Sequence, residues 1–127
     1  MKKFIKIVTD ILLVIVLVMA AVLYIPRLMG LKTYKVLSGS MEPEYHVGSV
    51  VYVEKSLIDD IEVGDVITFY INDNTVVTHR VVDKDDDTES FRTKGDANEI
   101  EDGGSVAYGK VVGKVVLNVP YLGYILR

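Results

Sequence analysis

The sequence contains no cysteine. Disulfides and thiolate metal sites are therefore excluded, although the compartment is not fixed, since many exported bacterial proteins also lack cysteine. Positive charge is scarce after the first segment. From Leu28 onward ten Lys and Arg stand against seventeen Asp and Glu, a net of −7. A domain this acidic is poorly suited to nucleic acid and gains no general attraction to an anionic lipid surface. Length is limiting too: 127 residues favour one domain with an appendage, and the hundred or so residues after the first quarter can bury only a modest core. No amphipathic helix of useful length follows the first segment, and no internal repeat is visible.

What the chain does have is a strongly apolar start. Residues 11–25 form an unbroken apolar run of 15 residues, and extending it back to Ile7 gives 19. A helix of that length spans roughly 28 Å, close to the hydrocarbon thickness of a bilayer. Lys2, Lys3 and Lys6 precede it, and Pro26 and Arg27 are expected to end it. Ala20 and Ala21 offer the small residues of a cleavable signal peptide, but the run is long for such a core and Leu23, Tyr24 and Ile25 follow. A permanent signal anchor is the expectation. The flanking charges lean slightly toward an inside N-terminus, and Asp10 is expected to reach the headgroups. The domains are then 1–27, an anchor with a short cytoplasmic start, and 28–127, a β-rich domain outside the cytoplasm.

Beyond Leu31 the pattern is β. The β-branched and aromatic runs are 50–53, 66–71, 76–82 and 90–93, with a valine-rich stretch at 106–119 broken by Gly109 and Gly113 into two strands or one bent strand. Asn72-Asp73-Asn74 predicts a hairpin turn, and the acidic segment 83–89 predicts a solvated hairpin tip. That segment lacks the sixth-position glycine of an EF-hand calcium loop. The fold class is all-β: a small antiparallel barrel or sandwich that protects its strand edges, preceded by one transmembrane helix.

Three features can carry chemistry. In Ser38-Gly39-Ser40-Met41-Glu42-Pro43 a glycine between serines allows a sharp turn that presents a hydroxyl beside free N–H groups. Ser-Gly-Ser is also common in plain loops. A serine nucleophile needs a base, and His46, His79 or a buried neutral lysine is eligible. A base histidine needs an orienting carboxylate, and the loop 94–103 offers several acids that are equally at home in solvent.

In this order the features resemble type I signal peptidases. Ser38 to Pro43 resembles the family's nucleophile box. Glu62-Val63-Gly64-Asp65-Val66-Ile67-Thr68-Phe69 resembles the next strand box, and Thr78-His79-Arg80-Val81-Val82 the general-base box. Lys94-Gly95-Asp96-Ala97-Asn98 with Asp102 resembles the Gly-Asp-Asn-Asn box. Gly113-Lys114-Val115-Val116 and Pro120-Tyr121-Leu122-Gly123-Tyr124 resemble the closing strand and its exit. Common bacterial members place lysine where His79 stands, so the resemblance is to the serine–histidine, endoplasmic-reticulum-type branch.

The resemblance implies a membrane-anchored serine endopeptidase that removes signal peptides from preproteins. Ser40 would be the nucleophile, His79 the general base and Asp102 its orienting carboxylate. Asp96 matches a second family aspartate, catalytic or structural. The Ser40 N–H and the Ser38 hydroxyl would form the oxyanion hole. Small residues preferred at the first and third positions before the cut imply a shallow apolar cleft lined by Met41 and strand valines. No metal or organic cofactor is implied. The implied partners are signal peptides, the bilayer and secretion-machinery proteins, not nucleic acid. About thirteen residues separate Pro26 from Ser40, which implies a site near the membrane surface, on the side to which signal peptides are exported.

Two departures stand out. Ala97 replaces the first Asn of the loop box, and the chain stops at Arg127, where many relatives in this branch continue into a second membrane helix. A single anchor and a truncated sequence both fit. His46 is read as a surface turn residue. Two rivals remain. A self-cleaving repressor protease shares a related fold but uses lysine and a DNA-binding domain. A catalytically idle, membrane-tethered β-module that binds protein partners would leave Ser40, His79 and Asp102 apart.

Overall fold

The computed structural model describes residues 1–124. The chain divides into two compact units, one ending at Leu31 and the other beginning at Lys32.

The first unit is helix α1, Lys2–Leu28. It is long and apolar enough to cross a membrane. The helix does not stop at Pro26 as the sequence suggested. Proline lacks only its own N–H donor, and the helix continues to Leu28. It ends through Gly30, whose φ of +84° is the left-handed conformation that glycine adopts without strain. The Leu31 N–H then donates to Pro26 O (2.9 Å) and the Gly30 N–H to Arg27 O (3.0 Å), satisfying carbonyls the last turn would leave open. Asp10 is not alone in the apolar run: Lys6 Nζ lies 3.8 Å from its carboxylate, one turn earlier.

The second unit is a seven-stranded antiparallel sheet. Its strands are β1 Lys32–Lys35, β2 Val50–Glu54, β3 Val66–Asn72, β4 Thr75–Asp85, β5 Ser90–Lys94, β6 Val106–Ala107 and β7 Val111–Val119. The order across the sheet is β1-β2-β7-β3-β4-β5-β6. The valine-rich stretch is two strands. A 3₁₀ turn at Tyr108–Lys110 separates them, and Gly113 lies inside β7. Strand β1 carries no apolar run: it reads Lys-Thr-Tyr-Lys and is recruited by pairing with β2.

Residues 50–53 of β2 and 66–69 of β3 are buried in unbroken runs. A flat sheet with one wet face cannot bury four consecutive residues, because successive side chains point to opposite faces. The sheet therefore curls. The Tyr34 phenol of β1 is pushed up first by burial and then by the nearby Tyr70 phenol of β3, although two strands lie between β1 and β3 in the sheet. Irregular pairings at Tyr52/Val53, Thr68/Phe69 and Val81/Asp83 supply the bends. The main core cluster, Ile61, Ile67, Phe69, Val81, Phe91 and Val106, sits under β3–β6. In the acidic tip, Asp85 Oδ1 accepts the N–H groups of Asp87 and Thr88, and Asp86 accepts the Tyr108 hydroxyl, so these carboxylates close a turn.

Candidate active site

Ser38 is extended, and Gly39–Met41 form a single 3₁₀ turn closed by the Glu42 N–H on Gly39 O (3.1 Å). The first amides of such a turn have no acceptor within it, so the Ser40 N–H faces outward from the turn. The loop after β5 grips this turn through its backbone. The Ala97 N–H donates to Ser40 O (2.9 Å) and the Asp96 N–H to Met41 Sδ (3.4 Å), while the Asn98 N–H closes the loop itself on Gly95 O (3.0 Å). The contact at Ala97 needs an amide, not a side chain. Gly95 is packed so tightly that an added Cβ would lie 2.6 Å from Ser40 O and 3.1 Å from Ser40 Cβ.

His79 comes from the middle of β4, opposite Ile67 on β3. Strand alternation turns it inward with Val77 and Val81, where it is 8% exposed, with the Phe69 ring edge-on at 6.5 Å. Asp102 returns from the loop to β5, its N–H on Thr93 O (2.9 Å). His79 Nδ1 is 2.7 Å from Asp102 Oδ2, and His79 Nε2 is 3.0 Å from Ser40 Oγ. A carboxylate accepts only, so the neutral ring carries its proton on Nδ1, leaving the Nε2 lone pair to accept from the Ser40 hydroxyl. With that hydrogen so placed, the Ser38 hydroxyl, 3.1 Å away, is the donor to Ser40 Oγ. Such a chain can deprotonate a serine and hold the resulting imidazolium against a carboxylate.

Of the two loop aspartates, only Asp102 is hydrogen-bonded to His79. Asp96 instead forms a two-pronged pair with Arg80: Nε donates to Oδ1 (2.9 Å) and Nη2 to Oδ2 (2.8 Å), while Nη1 donates to Gly64 O (2.7 Å). These bonds hold the Asp96 carboxyl below the usual carboxylate range and push Arg80 above its own. The pair ties the residue after His79 to the loop that grips Ser40. Met41 is 2% exposed and borders a cleft of about 470 Å³ that also holds Ser38, Ser40 and His79. The cleft runs between residues 34–38 and 75–79, so the curl sets β1 and the segment after it opposite β4. Tyr45 also lines it, its phenol pushed up mainly by burial. His46 stands apart, exposed and paired with Glu42. Among the described residues no three His, Asp or Glu side chains are grouped to hold a metal ion.

Thr93 escaped the sequence reading. Its hydroxyl donates to Asp102 Oδ2 (2.6 Å), yet a threonine in a β-run reads as ordinary strand propensity.

Residues 7–88, well over half of the chain, match the family described as Signal peptidase, peptidase S26. The chain belongs to the signal peptidase family. Among its relatives, Signal peptidase I W of Bacillus subtilis is 39% identical over 116 residues, covering 80% of this chain and 61% of that protein. The signal peptidase complex catalytic subunit SEC11 of Fusarium vanettenii is 36% identical over 101 residues, covering 71% and 59%. The corresponding human subunit SEC11C is 35% identical over 101 residues, covering 71% and 53%. The chain thus spans between half and two thirds of the length of these relatives. The family match includes Ser40 and His79 and ends before the loop that carries Asp96 and Asp102.

Proposed function

We propose that this protein is a membrane-anchored serine endopeptidase that removes signal peptides from exported proteins. The observation that carries the reading is the hydrogen-bonded chain Asp102–His79–Ser40, at 2.7 and 3.0 Å, opening on an apolar cleft. Ser40 Oγ attacks the scissile carbonyl while His79 Nε2 takes its proton. The Ser40 N–H and the Ser38 hydroxyl receive the oxyanion. His79 then gives the proton to the leaving amine, the C–N bond breaks, and an ester remains on Ser40. Water, deprotonated by His79, hydrolyses that ester and returns the proton to Ser40. Asp102 holds the ring's tautomer and offsets the imidazolium charge.

Histidine rather than lysine as the base fits the branch of the SEC11-type relatives. Helix α1 is the anchor, with Lys2, Lys3 and Lys6 on the cytoplasmic side and the β-domain on the other. Substrates are preproteins, and the relatives named as catalytic subunits of a complex raise secretion-machinery partners as companions.

The test compares wild type with Ser40→Ala, His79→Ala and His79→Lys, full-length in detergent micelles or liposomes, on a preprotein with an Ala-x-Ala cleavage site. Both alanine variants should lose cleavage while keeping their circular dichroism and melting behaviour. The lysine variant reports how strictly the site depends on imidazole. Undiminished cleavage in either alanine variant removes the pair from the mechanism, and a silent wild type moves the idle binding module forward.

A further inference from the structure

Strand β4 pairs with β3 along residues 75–80 but with β5 only from Arg80 onward. Among the described residues, the other edge of 75–79 therefore has no strand partner. Two cavities border this stretch. One is the cleft with Ser40, reached from every residue of 75–79. The other, of about 410 Å³, touches only Val77 and His79 of β4, alternate residues that share one face. Its remaining walls include Phe69, Asp102, Val106, Ala107 and Lys110.

We propose that this second cavity receives the side chain of the substrate residue lying between the two small residues before the cut. The inference rests on the peptidase reading above. An extended substrate laid against the free edge of residues 75–79 would complete the ladder there. Its side chains then alternate between the two sides of that edge. The residue whose carbonyl meets Ser40, and the one two places before it, point into the Ser40 cleft. The residue between them points the other way, into the second cavity. That cavity underlies residues 77–79, the stretch that the acyl side of the substrate crosses on its way to Ser40.

The chemistry of the cavity defines its occupant. About 410 Å³ is within the usual range of ligand pockets, ample for one long side chain. Phe69, Val77 and Val106 make the walls apolar. The Asp102 carboxylate is already taken by His79 and Thr93. Lys110 is exposed on the open side, with no ion-pair partner among the described residues. The site fits a small–long–small peptide whose middle side chain is aliphatic, and Lys110 reads any charge at its end.

The test uses full-length enzyme in micelles and preproteins with Ala-x-Ala sites whose middle residue is Gly, Leu, Glu or Lys. The readouts are ratios of kcat/KM within one enzyme preparation, which a loss of active fraction does not alter. In Lys110→Glu the Glu-to-Lys ratio should fall about tenfold relative to wild type, and high salt should shrink that change. In Ala107→Phe, which fills the cavity from an exposed position, the Leu-to-Gly ratio should fall. Cleavage by wild type with the Glu-to-Lys ratio unmoved in Lys110→Glu and the Leu-to-Gly ratio unmoved in Ala107→Phe overturns this site and leaves the peptidase reading standing. A wild type that cleaves none of the four removes both.

Discussion

Thr93 and His79 meet on a single oxygen: both reach Asp102 Oδ2, at 2.6 and 2.7 Å. Thr93 is fully buried, so its hydroxyl has no water to turn to, and its donation fixes the carboxylate in the orientation His79 needs. Hydrogen bonds to charged groups contribute about 1.5–3 kcal/mol. Thr93→Val keeps the shape and removes the donor. It should lower kcat by roughly tenfold or more with little change in KM, and Thr93→Ser should recover most of the loss. Steady-state kinetics on one preprotein substrate checks both.

The two loop aspartates should separate in kinetics as they do in space. Asp102→Asn replaces the acceptor facing His79 Nδ1 and favours the wrong tautomer, so kcat should drop on the order of 10³-fold or more while the melting temperature changes little. Asp96→Asn breaks the pair with Arg80, which touches neither reacting atom. It should lower the melting temperature and cost less in kcat than Asp102→Asn. Equal kcat losses in the two variants would give Asp96 a share in the chemistry itself.

Much of this arrangement was legible in the sequence, for identifiable reasons. The long strands announce themselves because valine and isoleucine crowd the residues that become buried on both faces. The order of the boxes pointed to Ser40, His79 and Asp102 before any distance was known. What stayed hidden depends on contacts between distant residues. The four residues of β1 carry two lysines and become a strand only because β2 offers an edge. The helix runs past Pro26 and Arg27 to Leu28, because its closing motif depends on the left-handed Gly30 rather than on the donor that proline lacks. The partner of Asp96 is Arg80, sixteen residues away, and composition gives no sign of it.

Gly95 makes a sharper claim about the loop. A methyl group there would lie 2.6 Å from the Ser40 carbonyl oxygen, which is backbone and cannot swing aside. Gly95→Ala should therefore push the Ser40 turn away from His79. Displacements near 1 Å can cost about 10²-fold in rate, and a loss of that order is expected. Gly103→Ala serves as the control, because nothing lies within 4 Å of its added methyl group. Cleavage assays with parallel melting curves distinguish a displaced nucleophile from a fold that has simply failed.

The Arg80–Asp96 pair also sets a pH dependence of stability. The folded Asp96 carboxyl titrates below its ordinary 3.8 because Arg80 hydrogen-bonds its charged form. A depressed folded value means that the unfolded chain binds the proton more readily. The pair's stabilisation is thus complete above the unfolded value and is lost as pH falls below 3.8 through the lower folded value. Both side chains are partly solvent-exposed, so screening by salt moderates the effect. Melting temperatures measured from pH 6 down to pH 3 should fall more steeply for wild type than for Asp96→Asn, with the two curves converging at the acid end. Parallel curves across that range would mean that Arg80 gains nothing from the Asp96 charge, and that the loop is held to β4 by its backbone contacts alone.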